Sequence, residues 1–297
     1  MNICVCVKQV EETYTRTGKN PEHYFIDPVD RIFRINPYDE AAMALAQKAA
    51  SAYKDARIIV LTVGPIKAEE ELWRIMGLGA DQLCHIELTK PENKNSLLDS
   101  WGKAQVLADA VNSMECDLVL CGKESIDRQN GLVANFMAHH LKRPFVAAIT
   151  DLQFKKGAAG ARVTQNAGKG IREIIDCRLP AVFSVDLFSG ALSQPSHAAK
   201  QRSRQKTVTH MVFDRQRLTE KTQRTEVMAP RPRPKPVAAP DSHLPGFERV
   251  RQLLAGSRVQ KKGKIVSGTP ETQVEDIIRF LEEHDIMLTS THGEHSE

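Results

Sequence analysis

The residues with the clearest chemical potential in this chain lie between two predicted elements near its middle. An apolar run at 118–120 predicts a strand that ends at Gly122, and a helical pattern begins near Gln129 after a polar loop. In a parallel sheet, a strand that ends at a glycine loop before a helix forms a crevice at its carboxyl edge. The N–H groups at a helix N-terminus favour phosphate there. Residues 122–133 therefore predict a nucleotide site.

Three further segments are predicted to reach the same edge of the sheet. They are residues 6–8 after the first strand, residues 36–39 at a helix start, and residues 63–65 after the second strand. Backbone donors and short side chains in these places suit an adenine, a ribose and a phosphate. Each segment is also compatible with an ordinary α/β turn. The sequence contains neither GxGxxG nor GxxxxGK[ST], so it predicts neither a Rossmann dinucleotide site nor a P-loop.

The sequence offers no recognisable catalytic constellation. GxSxG and HExxH are absent, and no spacing pairs a nucleophile with a base. His139 and His140 close a helical pattern, which favours a surface or core-edge role. Asp127 is compatible with a ribose contact or with helix capping, and Lys123 with a phosphate contact or a solvated rim. We therefore expect a chain that binds and positions a ligand, without catalytic residues of its own.

Alternating strand and helix patterns over the first 190 residues must position these segments. Strands are predicted at 2–10, 57–65, 81–88 and 117–122, with helical patterns at 36–53, 66–80, 96–114 and 129–141. Short β-rich segments then predict two antiparallel strands near 150–177 and a final strand of the sheet at 181–186. The pattern predicts an α/β fold, with a mostly parallel sheet, helices on both faces and a small antiparallel section.

Beyond the predicted domain at 1–190, residues 191–245 are expected to form a basic loop and a proline-rich linker arm. Residues 200–264 hold 17 Lys or Arg against 5 Asp or Glu, which suits an acidic protein partner or nucleic acid. The scarcity of aromatic residues in this arm gives base stacking little support. Residues 246–297 are predicted to form a C-terminal helical arm that docks on a partner. Its last residues include His292 and His295, which fit a frayed tail or a metal site.

Composition favours a cytoplasmic chain with its own core. Apolar residues make up 41% of the 297 residues. No signal-peptide pattern opens the sequence, and no window approaches the roughly 18 apolar residues that a membrane helix needs, so no membrane insertion is expected. The six cysteines include no CxxC pair, and Cys4 and Cys6 are predicted to share one face of a strand. We expect buried, reduced thiols.

Several segments, taken together, resemble the β subunit of electron transfer flavoprotein. They run in the family's order and spacing over about residues 1–190, and they are VCVKQV, INPYDEAAM, LTVGP with LGAD, DLVLCGKESID and LPAVFSVD. The last helix, in GTPETQVEDIIRFLEEHDI, is similar in kind to the C-terminal helix that such subunits place on their α partner. The resemblance implies an adenine-nucleotide-hydrolase-like α/β fold with an extended C-terminal arm.

The resemblance also implies a function and a set of ligands. A heterodimer would carry electrons from a flavin dehydrogenase, such as acyl-CoA dehydrogenase, to a quinone oxidoreductase or another acceptor. FAD would be held mainly by the α subunit, while this chain would hold AMP, or a second FAD in electron-bifurcating members. The nucleotide contacts would fall on Cys6, Asn36, Pro37, Tyr38, Asp39, Val63, Gly122, Lys123, Glu124, Ser125, Ile126, Asp127, Arg128, Gln129, Asn130, Gly131, Leu132 and Val133.

Two segments depart from the family's pattern. After Ile-Asp the family commonly continues with an acidic residue, a Ser or Thr, and a Gln, whereas this chain continues from Arg128 to Leu132. Leu132 cannot hydrogen-bond a phosphate, but Arg128, Asn130 and backbone N–H groups offer compensation. Near residues 192–206 the family's dehydrogenase-recognition loop is replaced, which implies a different choice of donor. The alternatives are an electron-bifurcating β subunit with its own FAD, and a stand-alone adenine-nucleotide sensor or nucleic-acid-binding protein.

Overall fold

The structure is a computed structural model that describes residues 1–12, 28–51, 53, 55–89, 98–154, 160–188, 194–214, 218, 240, 242–255 and 266–284. The chain has two compact units, Met1–Pro230 and Arg231–Glu297. The proline-rich stretch at 229–239 and the tail with His292 and His295 lie outside the described residues.

Strands and helices alternate through most of the first unit. Its strands are β1 (Asn2–Cys6), β2 (Gln9–Glu11), β3 (Phe33–Ile35), β4 (Arg57–Val63), β5 (Gln82–Leu88), β6 (Leu118–Gly122), β7 (Phe145–Phe154), β8 (Gly160–Gly168), β9 (Ile171–Arg178), β10 (Ala181–Val185) and β11 (Thr207–Phe213). Its helices are α1 (Pro37–Ala50), α2 (Glu69–Met76), α3 (Ser100–Ser113), α4 (Val133–Leu141) and α5 (His197–Ser203).

One large sheet organises the first unit, in the strand order β11-β5-β4-β1-β6-β10-β7-β8-β9. Neighbouring strands from β11 to β7 are parallel, whereas β7 pairs antiparallel with β8, and β8 with β9. Strands β2 and β3 form a separate antiparallel pair. This architecture confirms the predicted α/β fold. The strand order reverses at β1, between β4 and β6, and open α/β sheets bind ligands at such a switch point.

Helices cover both faces of the sheet, so the central strands are buried on both sides. Ile3 and Val5 of β1 pack in one core cluster with residues of α1 and α2. Cys4 and Cys6 share one face of the strand, as predicted. They lie on the face opposite Ile3 and Val5, and they pack in a second cluster with residues of α3 and α4. Two-sided burial explains why this strand reads as a continuous apolar run rather than an alternating one.

Two predicted boundaries near the candidate site are wrong. The strand expected at 2–10 divides after Cys6, because the Lys8 N–H turns to donate to the Asp39 carboxylate at 2.8 Å. The helix expected from near Gln129 begins only at Val133. Gln129 and Gly131 have φ angles of 50° and 62°, a left-handed backbone that a right-handed helix does not include.

The C-terminal part of the first unit also differs from the sequence-based expectation. The antiparallel section has three strands rather than two, and its first, β7, begins at Phe145 and pairs in parallel with β10. Strand β10 is not the final strand of the sheet. Helix α5 and strand β11 follow within residues expected to be loop and arm, and β11 pairs with β5. An exposed edge strand needs few apolar residues, so its sequence signal is weak.

The expectation that every cysteine is a reduced thiol is wrong for one pair. Cys4 and Cys116 form a disulfide with their Cα atoms 6.0 Å apart, although 112 positions separate them in the sequence. Cys6, Cys84, Cys121 and Cys177 are free. Proximity of this kind depends on the tertiary fold and cannot be read from spacing. No helix in the described ranges is both long and apolar enough to span a membrane.

The second unit contains two described helices, α6 (Gly246–Ala255) and α7 (Pro270–Glu283). Both helices expose apolar residues, and between 40% and 83% of the surface of each of these residues is accessible to solvent. These side chains, which we call the arm patch, are Phe247, Val250, Leu253 and Leu254 of α6 and Val274, Ile277, Ile278 and Phe280 of α7. Apolar surface of this extent on two amphipathic helices marks an interaction surface.

Candidate functional site

The floor of the cleft at the switch point begins with Asn36, which precedes α1 and is 1% exposed. Its amide Nδ2 donates to Asp39 at 3.0 Å and to the Glu124 carbonyl at 2.9 Å. Its Oδ1 accepts from the Ile126 N–H at 3.2 Å. The side chain therefore ties the loop after β6 to the start of α1. The helix expected from residue 36 begins at Pro37 with Asn36 as its N-cap, but the Asn36 side chain makes these tertiary contacts instead of capping α1.

Asp39 joins the ends of two strands to the first turn of α1. Its carboxylate accepts hydrogen bonds from the Lys8 N–H at 2.8 Å, the Asn36 amide at 3.0 Å and the Gly122 N–H at 3.1 Å. Burial raises the pKa of Asp39 to about 7, although these three donors and the Lys8 charge favour the ionised form. The carboxylate thus fixes where β1 and β6 end, and those ends define the cleft.

Gly122 is required by the close approach of β6 to α1. A Cβ at this position would overlap Asp39 Oδ1 and lie 2.7 Å from Tyr38 Cβ and 3.0 Å from Asp39 N. Real Cβ atoms do not occupy such space without movement of the backbone. The glycine that ends the predicted strand therefore serves packing at the floor of the cleft.

The loop after Gly122 leads to the N-terminus of α4, which lies on the cleft. Leu132 occupies the N-cap position and makes no side-chain capping hydrogen bond. Val133 and Ala134, in the first turn, line the cleft. The first N–H groups of a helix have no acceptor within the helix, so they can bind an anion. Gly131 supplies the left-handed backbone that brings the chain to this turn.

Four cationic side chains line the cleft together with the carboxyl groups of Asp39 and Glu124: Lys8, Lys103, Lys123 and Arg128. Lys8 contacts Asp127 at 2.6 Å, and Lys123 contacts Asp186 at 3.3 Å. Burial, together with the charges of Arg128 and Lys8, lowers the pKa of Lys103 to about 8, although the charges of Asp127 and Asp99 oppose the shift. Close positive charges and partial burial disfavour protonation of Lys103, and the opposite charge of a bound anion would favour it.

The structure brings most of the predicted site residues together around this cleft. Those that line it are Cys6, Asn36, Asp39, Val63, Gly122, Lys123, Glu124, Ser125, Arg128, Asn130, Gly131, Leu132 and Val133.

Five predicted residues support the cleft without lining it. Pro37 is the first residue of α1, and the Tyr38 hydroxyl donates to Glu124 Oε1 at 3.2 Å. Ile126 donates its N–H to Asn36, Asp127 binds the Lys8 ammonium, and Gln129 donates its N–H to the Ser125 carbonyl at 2.8 Å. The hydrogen bonds of Tyr38, Ile126, Asp127 and Gln129 hold the loop in place, whereas Pro37 begins α1.

Sequence reasoning missed the wall that α3 contributes. Ser100, Lys103 and Leu107 of this helix line the cleft, and their spacing places them on one helical face. That spacing is the only sequence signal for them, and it does not show which face points toward the strand ends. Val7 and Lys8 line the cleft from the predicted segment 6–8, and Leu61, Cys121 and Ala134 complete the lining from positions adjacent to predicted ones.

The geometry defines a class of protein. A cleft at the switch point of a parallel sheet, with a positive rim and a helix N-terminus, is typical of α/β proteins that bind phosphorylated ligands. A sequence model of the electron transfer flavoprotein domain matches residues 30–215, more than half of the chain. The chain therefore belongs to the electron transfer flavoprotein family.

Individual relatives agree with this assignment. The electron transfer flavoprotein subunit beta of Bacillus subtilis is 27% identical over 285 residues, covering 95% of this chain and 97% of the relative. That of Methylophilus methylotrophus is 23% identical over 200 residues, covering 67% and 73%. The caffeyl-CoA reductase-Etf complex subunit CarD of Acetobacterium woodii is 27% identical over 186 residues, covering 62% and 68%. These similarities confirm the resemblance to the β subunit.

Proposed function

We propose that this chain is the β subunit of a heterodimeric electron transfer flavoprotein and acts in the cytoplasm. It would hold AMP in the cleft, shape the FAD site of an α subunit, and take part in electron transfer from a flavin dehydrogenase to a quinone oxidoreductase or another acceptor. The observation that carries this proposal is the cleft at β1, β4 and β6, because it coincides with the loops that the family resemblance selects. FAD would supply the redox chemistry when bound.

The cleft suits the phosphate of an adenine nucleotide. The first turn of α4 offers N–H donors, and Lys103 and Arg128 offer positive charge. Among the described residues, neither of these two cations forms an ion pair with a carboxylate. Leu132 cannot hydrogen-bond a phosphate from the loop. Lys103 of α3 would supply a phosphate contact in its place.

We propose AMP rather than a second FAD as the ligand of the cleft. Its cavity is about 160 Å³, below the roughly 300–1,000 Å³ of a pocket that encloses a whole drug-sized ligand. A phosphate and ribose would fill the cavity, and the adenine would extend along the strand ends. The Acetobacterium relative is named as part of a caffeyl-CoA reductase complex, so a bifurcating β subunit with its own FAD is the rival proposal.

The arm patch supports the proposed α partner. Its eight apolar side chains lie on two short helices of the second unit, and none of the described side chains of α7 is buried. At ~25 cal/mol per Å² of apolar surface, covering such side chains would contribute substantially to association. We therefore propose that residues 246–297 dock on the α subunit, as the C-terminal helical arm.

Quantifying the ligands of the purified complex tests both proposals. The chain would be co-expressed with a candidate α subunit from the same organism, and the bound ligands would be released with acid and separated by chromatography. One flavin and one AMP per heterodimer are expected. Two flavins without AMP would establish the bifurcating alternative. Failure to copurify any flavin-bearing partner would contradict the proposed function.

A further inference from the structure

Three side chains of metal-ligand type meet at a place that does not line the cleft. Glu69 is the first residue of α2, His85 lies in β5, and His210 lies in the edge strand β11. The register of the parallel pair sets His210 opposite His85. One ligand atom from each of the three residues lies within 4.8 Å of the other two.

One oxygen of Glu69 lies close to a ring nitrogen of each histidine. Glu69 Oε1 lies 2.8 Å from His85 Nδ1 and 3.8 Å from His210 Nδ1. The two imidazole rings are stacked, with centroids 5.9 Å apart and an angle of 26° between their planes. Both histidines thus direct the same type of nitrogen atom toward Glu69.

The contact of His85 Nε2 shows that this nitrogen carries a hydrogen. His85 Nε2 lies 2.9 Å from the Gly64 carbonyl oxygen, and a carbonyl only accepts, so Nε2 carries the hydrogen. His85 Nδ1 lies 2.8 Å from Glu69 Oε1, a contact that either a proton on Nδ1 or a metal ion bound by both atoms would satisfy. Metal-binding histidines commonly donate their other ring N–H to a backbone carbonyl in this way.

We propose that Glu69, His85 and His210 form a binding site for a divalent transition metal of the Zn²⁺ class. Two imidazoles and a carboxylate suit Zn²⁺, whereas Ca²⁺ and Mg²⁺ prefer oxygen ligands. With bonds of about 2.1 Å, tetrahedral ligands are separated by about 3.4 Å, so side-chain rotations suffice to close the site.

The burial of the three residues gives the site a closed side and an open side. The His85 side chain is fully buried, that of Glu69 is 18% exposed and that of His210 is 49% exposed. The ion would enter past His210 and keep a solvent position for a fourth ligand. Once bound, it would fasten the edge strand β11 to β5 and α2. This proposal is independent of the nucleotide and of the α subunit.

Cobalt binding to the full-length chain tests the proposal. After treatment with a chelator, the chain would be titrated with Co²⁺, followed by visible absorption, and with Zn²⁺ in competition against a chromogenic chelator. We expect one equivalent of tetrahedral Co²⁺, displaced by Zn²⁺. His210→Ala and Glu69→Gln should each weaken Zn²⁺ binding by at least about 100-fold, more than the loss typical of a supporting residue. His210 is half-exposed and Glu69→Gln keeps the size of the side chain, so these variants should fold.

Two controls separate this site from other histidines. His197→Ala removes an exposed histidine of α5 and should leave the affinity unchanged. The double variant His292→Ala/His295→Ala removes the tail histidines and should also bind one equivalent. The proposal is overturned if the chain binds no Co²⁺ or Zn²⁺ at micromolar concentrations. It is also overturned if binding survives in His210→Ala and Glu69→Gln, or disappears in the tail variant.

Discussion

Replacing Gly122 with alanine would probe the floor of the cleft. The added Cβ would overlap Asp39 Oδ1 and lie 2.7 Å from Tyr38 Cβ, so the Asp39 side chain or the backbone would have to shift. The Gly122 N–H bond to Asp39 would be lost, at a cost of ~1–3 kcal/mol. Overpacking would add ~1–3 kcal/mol. We therefore expect the free energy of unfolding to fall by about 2–6 kcal/mol.

Urea denaturation of the full-length chain, followed by far-UV circular dichroism, would measure this change. Gly64→Ala is the matched control, because Gly64 follows the neighbouring strand β4 and a Cβ there would meet no atom within 4 Å. The control should change the free energy of unfolding by less than about 1 kcal/mol. If Gly122→Ala lowers it no more than Gly64→Ala does, the proposed close packing of β6 against α1 is refuted.

Four further predictions concern the cleft and the arm. Lys103→Met should weaken AMP binding about tenfold, and wild-type affinity should fall as pH rises above about 8, because Lys103 then loses its proton; calorimetry would measure both. Asp127→Asn should lower the free energy of unfolding by about 0.5–1 kcal/mol at pH 7. The pKa of Asp127 is lowered because hydrogen bonds from Lys8 and Ser125 outweigh its burial, so this difference should vanish as pH falls through that pKa. Gly131→Val should reduce AMP occupancy, since a branched residue strains the left-handed backbone by ~1–2 kcal/mol. Deleting residues 240–297 should weaken binding to the α subunit while the first unit keeps its circular dichroism spectrum and Tm.

Each of these predictions has an outcome that contradicts it. AMP affinity that is constant between pH 7 and 9 would show that the Lys103 charge does not contact the phosphate. An Asp127→Asn effect that persists in acid would show that the ion pair with Lys8 is not its cause. Full AMP occupancy in Gly131→Val would mean that the phosphate lies elsewhere, and unchanged subunit affinity after the deletion would exclude the arm as a docking element.

The central sheet and the edge that carries the cleft were predictable from sequence because their signals are local. Buried parallel strands produce continuous apolar runs, and Gly122 and the Asn36-Pro37 pair mark where a strand ends and a helix begins. Parallel strand ends share one edge, so the convergence of loops on the cleft follows from the fold class alone.

The remaining features depend on packing that no local signal records. Lys103 faces the cleft because of how α3 is rotated about its axis, and tertiary contacts set that rotation. Strand β11 is an edge strand with a half-exposed pattern, so its residues read as part of a polar arm. The approach of Cys4 to Cys116 and of His85 to His210 likewise joins residues that are far apart in the chain.

The side-chain hydrogen bonds of Asn36 and Asp39 lie at the floor of the cleft rather than at its rim. Substitutions at these two places therefore have different consequences. Asn36 and Asp39 hold strands, helix and loop together, so nearly any substitution there endangers folding. Arg128 and Leu132 project from the rim, where a substitution alters the ligand's surroundings without breaking that network. If the cleft holds a nucleotide as proposed, substitutions at the rim would change its affinity or identity while the scaffold stays intact.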